Sequence, residues 1–490
     1  MLPRFWQGSP ILNSVGVTAQ EDRVSFRRKC FYSLGAVPDP ITIGTVGNFL
    51  MLFYNGVLGV PGTWVGIVLI VPRIWDAITD PWFGKISDNC GSPMGHRRPF
   101  ILFGGLGMAV AYALLWSPPA FLTSNATNLA YLMIVGVLYF TAYTFYFIPY
   151  SALGLDLTPD YDERTAIMAV RNLFGSLGQM VIYTMPMVAA WWSAQLGQPG
   201  NDRLGYRMTG IVVAAICAAL CAASFFGTRE RPASEMPAQM SFRASALTTL
   251  RNTVFLRLAA AVFSLALAVM TLASYVSYLF LYYLDGCSVT ILGWTLDNRE
   301  LLALNGVYAG ILGMGCTFPW WGIARRIGKT RALFLAVALV AVACLSTWFA
   351  FNRTYPGLVF LYGAFSALGW AGAMILAPAI MADIVDMDEL ATGQRREGSY
   401  TGVFGFIFKM GVAGALPLLG WGVDLVGFDP VLGSHQAPET YLKLRLVATF
   451  LSAAFASISA VTLLGLPLSP QRAHDTRRAL EKRRGKASAT

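Results

Sequence analysis

One segment decides how the rest of the chain is interpreted: residues 66–81, GIVLIVPRIWDAITDP. It begins as an apolar helix of the kind that crosses a membrane and then places Asp76 and Asp80 four positions apart, on one helical face. Counted from Trp64 at ~1.5 Å per residue, Asp76 lies roughly 18 Å along the helix, inside a hydrocarbon core of ~30 Å. An aspartate at that depth costs about 2.5–3.5 kcal/mol, and a second like charge on the same face costs more.

We interpret this aspartate pair as a cation site, because a bound proton or small cation would remove the penalty. The alternative is a structural ion pair between Asp76 and Arg73, which lies one turn earlier. Ionisable residues inside a membrane are functional by default. The sequence therefore predicts that a cation or proton binds reversibly at Asp76 and Asp80.

The amino-acid composition indicates a protein with many membrane spans. The chain has 490 residues, of which 56% are apolar and 13% charged, whereas soluble domains carry about 25% charged residues. About twelve apolar segments have the ~20 residues that a bilayer requires. Numbered in chain order, these predicted spans lie near residues 32–54, 64–86, 99–117, 129–152, 167–192, 207–227, 254–283, 301–323, 332–351, 357–380, 400–424 and 444–467.

Basic side chains mark one side of the membrane. They collect in the N-terminal segment, in every second loop and in the C-terminal segment, whereas the intervening loops carry almost none. Because Lys and Arg favour the cytoplasmic side, we expect a multi-pass protein of the bacterial inner membrane with both termini cytoplasmic. We expect no signal peptide, since the first span itself serves as the insertion signal. The net charge of +10 belongs to these loops, so we expect no nucleic-acid partner.

The two halves of the chain resemble each other. Span 2 ends in Asp80-Pro81-Trp82-Phe83-Gly84, and span 8 ends in Phe318-Pro319-Trp320-Trp321-Gly322. Parallel repeats about an axis along the membrane normal are typical of transporters whose two halves rock against each other. Because Phe318 stands where span 2 has Asp80, we expect the cation site in the first half alone.

The predicted fold is an all-α membrane protein with twelve transmembrane helices in two pseudo-symmetric bundles of six. Residues 228–253 interrupt the apolar pattern with Arg, Glu, Pro and Ser near the middle of the chain and are interpreted as a linker. The predicted domains are a cytoplasmic N-terminal segment 1–29, a bundle 30–227, the cytoplasmic linker 228–253, a bundle 254–467 and a basic cytoplasmic tail 468–490.

Several sequence elements together resemble one known family. They are RIWDAITDP at 73–81, GHRRP at 95–99, PYSAL at 149–153 with LTPDYDERT at 157–165, and ADIVD at 382–386 with REGSY at 396–400. This combination resembles the glycoside–pentoside–hexuronide:cation symporters, a branch of the major facilitator superfamily typified by the melibiose permease. The resemblance covers about residues 30–467.

The resemblance implies a cation site made of Asp76, Thr79, Asp80 and Thr144. Thr79 stands where the permease has an asparagine, and its hydroxyl still offers an oxygen to Na⁺. Such hard oxygen ligands suit Na⁺ or Li⁺ rather than a transition metal, and a proton needs only one carboxylate. The coupling ion is therefore expected to be Na⁺ or H⁺, without another metal or cofactor.

The resemblance also implies a substrate site that includes Asp39 on span 1, Arg171 on span 5 and Lys409 on span 11. Lys409 has no charged residue within a helical turn, and a lysine this deep must face the bundle interior or a water-filled cavity. The alternatives are that Arg171 snorkels to the membrane surface and that Asp39 lies near the cytoplasmic end of its span.

Span 4 departs from the family pattern. Phe147 replaces an aspartate that binds sugar in the permease, and Ser151 replaces a tryptophan. The span is aromatic instead, and we expect Phe147 and Tyr150 to contact the substrate, since aromatic rings can stack on sugar faces. The pattern is compatible with a glycoside and also with a less polar or amphiphilic substrate.

Charged residues at the cytoplasmic helix ends are candidates for a gate. Ion pairs between the two halves would close the inner face, and the alternative is a solvated surface on which each pair is worth about 0–1 kcal/mol. The candidate gate residues are Asp88, Asp156, Arg164, Asp383, Asp386 and Arg396.

The sequence thus predicts a monomeric secondary transporter, in contact with membrane lipid, that couples uptake of a sugar or glycoside to a cation. The alternatives are a symporter of an amphiphilic or lipid-like solute and a proton-driven exporter. An enzyme is not expected, because the sequence offers neither a catalytic cluster nor an appended soluble domain. A phosphate-binding glycine-rich loop is also missing, which argues against an ATP-driven pump.

Overall fold

The computed structural model describes residues 23–158, 160–230, 249–291, 293–394, 396–466, 468 and 470–483. Within these residues eleven helices are long and apolar enough to cross a membrane, or twelve if one bent pair counts as a single span. The predicted all-α membrane fold is confirmed. The predicted domain boundaries stay predictions, and most of the proposed linker lies outside the described residues.

The first six spans combine α-helices with short turns of other helical type. Span 1 comprises Phe26–Leu34, Pro38–Leu52 and a π-helical turn at Phe53–Val57; span 2 is Gly62–Asp88; span 3 is Arg98–Leu115; span 4 is Asn125–Asp156; span 5 comprises Tyr161–Val181, a 3-10 turn at Ile182–Thr184 and Met185–Gln195; and span 6 is Asp202–Gly227.

The last six spans follow after the linker. Span 7 comprises Thr253–Tyr278 and a π-helical turn at Leu279–Tyr283; span 8 comprises Asn298–Gly315 and Thr317–Ile327; span 9 is Lys329–Ala350; span 10 comprises a 3-10 turn at Pro356–Leu358 and Val359–Thr392; span 11 is Glu397–Leu425; and span 12 comprises Pro438–Leu446, a π-helical turn at Val447–Leu451 and Ser452–Leu464. A 3-10 turn at Pro430–Leu432 precedes span 12, and a helix at Pro470–Arg483 follows it. The loop between spans 7 and 8 carries two short antiparallel strands, Val289–Ile291 and Trp294–Leu296.

Polar side chains fix where several spans begin. Asp160 accepts a hydrogen bond from the backbone of Glu163 at the start of span 5, and Asn252 caps the start of span 7. Asp297 and Glu300 form a reciprocal capping box at the start of span 8. These caps satisfy backbone N–H groups that a helix leaves free in its first turn.

Proline residues shape the spans around the aspartate pair. Pro72 and Pro81 lie inside the span 2 helix on either side of Asp76 and Asp80. A proline removes one backbone donor from the helical ladder, so Pro81 leaves the carbonyl of Ala77 without its usual partner, one turn from the carboxylates. Span 8, which carries no such acid pair, instead bends by 46° between its two helices.

Spans from the two halves pack against each other along the seam of the molecule. Among the described residues, span 2 packs along span 11, span 5 along span 8, and span 1 against span 7. At ~1.5 Å per residue Asp76 lies about 21 Å from the beginning of the span 2 helix, near its middle. Lys409 lies about 18 Å from the beginning of the span 11 helix. The packing therefore brings the acid pair of one half opposite the lysine of the other.

Candidate functional site

The aspartate pair of span 2 contacts span 11 across the seam between the two halves. The Lys409 ammonium lies 2.9 Å from Asp76 Oδ2 and 2.6 Å from Asp80 Oδ2. Thr144, on span 4, donates its hydroxyl to Asp76 Oδ1 at 2.5 Å. The Asp76 side chain is 2% exposed and that of Asp80 is 24% exposed. Spans 2, 4 and 11 therefore meet at one group of residues, Asp76, Asp80, Thr144 and Lys409, which we call the carboxylate cluster.

Lys409 is the largest departure from the sequence-based expectation. The resemblance places it in the substrate site, whereas in this conformation its ammonium bridges the two carboxylates expected to hold the coupling cation. The physical reason is that one ammonium shared by two carboxylates compensates buried charge that would otherwise be strongly destabilising. The predicted contact of Lys409 with the substrate stays a prediction.

The alternative ion pair between Arg73 and Asp76 is not formed. The guanidinium carbon of Arg73 lies 4.5 Å from the centre of the Phe140 ring, as in a cation–π contact. Both side-chain oxygens of Asp76 are instead engaged by Thr144 and Lys409. The buried aspartate therefore contacts span 4 and the opposite half rather than its own helix.

The carboxylate cluster retains room for one more positive charge. Two carboxylates face a single ammonium, which leaves one negative charge uncompensated within the cluster. Asp80 Oδ1 is buried and has no hydrogen-bond partner among the described residues. A buried carboxylate oxygen without a donor is unfavourable, so this atom is a suitable acceptor for a proton or a ligand for Na⁺.

Thr79 lies inside the cluster's helix with its hydroxyl directed at the backbone. Thr79 Oγ1 donates to the carbonyls of Trp75 at 2.9 Å and Asp76 at 3.2 Å. The residue is 1% exposed. Its oxygen lone pairs remain to coordinate a cation, and its part in the cation site stays a prediction.

Asp39 and Arg171 lie around the aromatic face of span 4. Asp39 is in the first turn of the Pro38–Leu52 helix, where backbone N–H groups favour a negative charge. Tyr143 donates its hydroxyl to Asp39 Oδ1 at 2.7 Å. The guanidinium carbon of Arg171 lies 5.5 Å from the centre of the Tyr150 ring, so the arginine is turned toward span 4 rather than toward the membrane surface.

Tyr150 packs inside the first half of the molecule. It is fully buried, its ring stacks on Tyr32 at 4.8 Å and on Tyr146 at 5.6 Å, and its hydroxyl donates to the carbonyl of Tyr32. The ring has no exposed surface in this conformation and lies under the Arg171 guanidinium. Its predicted contact with the substrate stays a prediction.

Phe147 lies on the partly exposed side of span 4. Its ring stacks on that of Tyr143 with centroids 5.3 Å apart and planes 10° apart. Its predicted contact with the substrate stays a prediction. Tyr143 was not singled out from the sequence, although it precedes Phe147 by four positions and therefore shares its helical face.

A second aromatic pair adjoins Lys409. Trp370 on span 10 and Phe408 on span 11 have ring centroids 6.2 Å apart, and both are partly exposed. Sequence reasoning missed this pair, although Phe408 is the chain neighbour of the lysine already singled out. The two aromatic pairs thus include the chain neighbours of Thr144 and of Lys409, one on each half.

The predicted gate residues lie at the end of the bundle that carries the termini, and the ion pairs described there each join residues of one half. The pairs are Arg97–Asp88, Arg97–Asp156, Lys329–Asp383 and Arg396–Asp388. Arg164 donates to the carbonyl of Thr158, and Asp386 lies on span 10. The expectation that these residues pair across the halves when the inner face closes stays a prediction, and in this conformation further polar contacts between the halves lie at the opposite end.

At that opposite end, side chains of one half bind the other. Asp424 of span 11 accepts hydrogen bonds from the backbone N–H groups of Gly62 at 2.9 Å and Thr63 at 2.7 Å, the first residues of span 2. Arg299 of span 8 pairs with both carboxylate oxygens of Asp202 of span 6, at 2.9 and 3.1 Å. Because a carboxylate is stabilised at a helix N-terminus, Asp424 caps a helix of the other half.

Glycine makes this contact possible. A Cβ on Gly420 would clash with the carbonyl oxygen of Gly62, and one on Gly66 would lie 2.7 Å from the carbonyl oxygen of Leu416. Spans 2 and 11 therefore touch backbone to backbone at the end away from the termini. The sequence marks these residues only as glycines in apolar helices, so it did not predict this closure.

Comparison with known proteins gives a consistent assignment. The sequence matches the family described as MFS/sugar transport protein over residues 31–469. It is 25% identical to the uncharacterized symporter YnaJ of Bacillus subtilis, over 88% of this chain and 89% of that protein. It is 26% identical to the isoprimeverose transporter of Lactiplantibacillus pentosus, over 84% of this chain and 82% of that protein. The solved structure of the nucleoside transporter NupG shares the fold, with a TM-score of 0.59 at 14% identity, over 90% of this chain and 98% of that one.

Proposed function

This chain belongs to the family of MFS/sugar transport proteins, and we propose that it is a cation-coupled symporter that carries a sugar or glycoside by alternating access. Membership makes it a multi-pass membrane transporter of a small molecule rather than an enzyme. The observation that carries the finer proposal is the carboxylate cluster, a buried acid pair on one half bridged by an ammonium from the other.

Coupling arises because Lys409 and the cation compete for the same carboxylates. In the empty carrier the ammonium compensates one of the two negative charges of Asp76 and Asp80, which lowers the cost of holding them in the apolar interior while the halves move. Binding of Na⁺ or H⁺ at Asp80 Oδ1 weakens the ion pairs of Lys409 with Asp76 and Asp80. The released lysine then donates to substrate hydroxyls, and each ligand favours the other by about 1–3 kcal/mol.

The substrate lies between polar groups of both halves. Asp39 and Arg171 on the first half and the released Lys409 on the second provide charged hydrogen-bonding groups, while Phe147 and Trp370 provide apolar faces. This combination suits a sugar ring, which has hydroxyls at its edge and C–H groups on its faces. A more amphiphilic solute is the second candidate, and the stacked pair of Phe147 and Tyr143 is the observation that favours it.

The direction of transport follows from charge and closure. Loops rich in Lys and Arg favour a cytoplasmic location of the end that carries the termini. The polar contacts between halves at the other end then correspond to an inward-open carrier that has closed its outer face. An inward-directed cation gradient drives net uptake in such a cycle, and the termini are cytoplasmic in a bacterial inner membrane.

The test is transport by the full chain in proteoliposomes. Counterflow with glycosides, uronates and amphiphiles, with and without Na⁺, identifies the substrate class and the coupling ion. With the substrate identified, an imposed cation gradient should drive accumulation in the original protein. The Asp76→Asn variant should lose this accumulation by at least tenfold while counterflow continues, because exchange requires no net coupling.

The matched control is Asp285→Asn, which makes the same chemical change at an exposed loop residue. It should accumulate substrate like the original protein. Full gradient-driven accumulation by Asp76→Asn would sink the cation assignment, and accumulation only when the cation gradient is reversed would indicate an exporter.

A further inference from the structure

Two arginines at the end of the bundle away from the termini stack on one tyrosine ring. The guanidinium carbons of Arg353, in the loop after span 9, and Arg445, on span 12, lie 5.1 Å and 5.3 Å from the centre of the Tyr283 ring. The guanidinium carbon of Arg353 lies 5.7 Å from the centre of the Tyr441 ring, and that of Arg445 lies 4.8 Å from the centre of the Trp348 ring. We call these five residues the arginine–aromatic cluster.

The described polar contacts of the two guanidiniums go to neutral oxygens. Arg353 Nε donates to the carbonyl of Tyr283 at 2.7 Å, and Arg445 donates to the Tyr283 hydroxyl at 3.3 Å and to the carbonyl of Trp348. Each guanidinium carries five N–H donors, so several remain for a ligand. Arg445 Nε is buried without a hydrogen-bond partner among the described residues.

Within the part of the chain that the structure describes, no carboxylate forms an ion pair with either arginine of the cluster. Glu439 lies at the start of span 12 but pairs with Lys443 at 2.7 Å. Asp285 lies near Tyr441, is exposed and pairs with neither guanidinium. The two guanidiniums are therefore positively charged groups stacked on aromatic rings. An anion from outside the chain would compensate their charge.

The position of the cluster fits the boundary between lipid and water. Trp348 lies two residues before the end of the span 9 helix, and Arg445 lies about 10 Å along span 12 from its first residue. Beside them Phe349 is 71% exposed and Phe450 is 55% exposed. Tryptophan, tyrosine and arginine favour this depth, where an apolar stem lies in lipid and a polar tip reaches water.

We propose that the arginine–aromatic cluster binds the phosphate of a phospholipid headgroup in the leaflet at this end of the bundle. A planar guanidinium matches phosphate with two parallel hydrogen bonds, and the exposed phenylalanines lie beside the acyl chains. The site lies on spans 7, 9 and 12, whereas the carboxylate cluster lies on spans 2, 4 and 11. It is therefore separate from the transport site.

The experiment is native mass spectrometry of the purified full chain with added phosphatidylglycerol. The original protein should retain a phosphatidylglycerol adduct, and the double variant Arg353→Gln/Arg445→Gln should lose at least fivefold in occupancy. The matched control is Arg207→Gln, which removes an exposed arginine at the same end of span 6 and should leave occupancy unchanged. The milder variant Arg353→Gln alone, with thermal unfolding measured in parallel, separates loss of lipid from loss of fold.

Two further arms identify the source of the phosphate. Diacylglycerol, which lacks phosphate, should bind at least fivefold more weakly than phosphatidylglycerol, and inorganic phosphate at equal concentration should not displace the lipid. Equal occupancy in the double variant and the original protein would overturn the proposal. Equal binding of diacylglycerol, or complete displacement by inorganic phosphate, would overturn the assignment to a lipid headgroup.

Discussion

At the scale of single residues, the proposed coupling depends on which groups bind the Lys409 ammonium. A lysine is a compact point charge on a flexible stem, so it can reach two carboxylates at once and can leave them when another cation arrives. The distances of 2.9 and 2.6 Å place it on Asp76 and Asp80 in the conformation described. In the proposed cycle the same side chain therefore belongs to both the cation site and the substrate site, at different stages.

Replacing Lys409 by Ala should separate these two roles. Without the competing ammonium, the apparent affinity for the coupling cation should rise about tenfold, since ~1.4 kcal/mol of lost competition corresponds to a factor of ten. The empty carrier then has two uncompensated carboxylates, so net uptake should fall, whereas cation-loaded exchange should continue with a weaker apparent affinity for the substrate. Cation dependence of counterflow and of net uptake, measured on one preparation, checks this. An unchanged cation affinity would contradict the competition.

Thr144 offers a milder test of the same cluster. Thr144→Val removes the hydroxyl that donates to Asp76 Oδ1 at 2.5 Å but keeps the shape of the side chain. A hydrogen bond to a charged group contributes about 1.5–3 kcal/mol. Its loss destabilises the ionised form of Asp76, so H⁺ should bind roughly tenfold or more tightly, whereas Na⁺, which would lose a coordinating oxygen, should bind more weakly. Thr144→Ser retains the hydroxyl, and its cation affinity should remain close to that of the original protein. If both variants behave alike, the hydroxyl has no part in the site.

At the scale of helices, the contact between spans 2 and 11 determines two properties together. Near the middle of the membrane it brings the acid pair to Lys409, and at the end away from the termini it closes the bundle through glycine and through Asp424. Backbone contact of this kind leaves no space for a side chain, because packed interiors cannot accommodate an extra methyl group without moving. A change at the closed end therefore acts on the same helix that carries the proposed cation site.

Gly420→Ala should open the end of the bundle away from the termini. Its new Cβ would clash with the carbonyl oxygen of Gly62, so the two helices must separate. Spin labels at Gln198 and Val431, exposed residues of opposite halves, should report a longer distance, and uptake should fall several-fold. Gly405→Ala is the control on the same helix, because its Cβ would meet no atom within 4 Å. A similar distance distribution in both variants would speak against the glycine contact as the closure.

At the scale of the whole molecule, alternating access requires that one end of the bundle closes when the other opens. In the conformation described, polar contacts between the halves lie at the carboxylate cluster and at the end away from the termini, whereas the ion pairs described at the other end each lie within one half. Since a shift of about 1–2 kcal/mol changes a population ratio roughly 5–30-fold, a few such contacts are enough to set the resting conformation.

Reversing the charge of one partner in the Asp202–Arg299 pair should change that population. The guanidinium and carboxylate make two parallel hydrogen bonds at 2.9 and 3.1 Å. Asp202→Arg or Arg299→Asp places like charges together, and either should lengthen the Gln198–Val431 distance and slow uptake. The exchanged pair, Asp202→Arg with Arg299→Asp, should restore most of both properties. A double variant as impaired as the single variants would show that the pair does not act by mutual attraction.

Several features followed from the amino-acid sequence alone. Composition and span length predicted an all-α membrane protein of about twelve spans, because a bilayer admits only long apolar helices or closed barrels. The spacing of Asp76 and Asp80 indicated a shared face because helical periodicity is local. The motifs identified the family because each of them is a short contiguous stretch that can be read without the tertiary structure.

Other features were decided by the tertiary structure. Lys409 lies 333 positions from Asp76 in the chain, so nothing local to either residue determines that they meet. Likewise the sequence does not show that Tyr150 is buried against Tyr32 of span 1. It also does not show that Asp424 caps the first turn of span 2. The positions of the spans and of their charged residues therefore follow from short stretches of sequence. The contact partners of the charged residues depend on how the two halves pack. Alternating access requires this packing to change as the carrier moves.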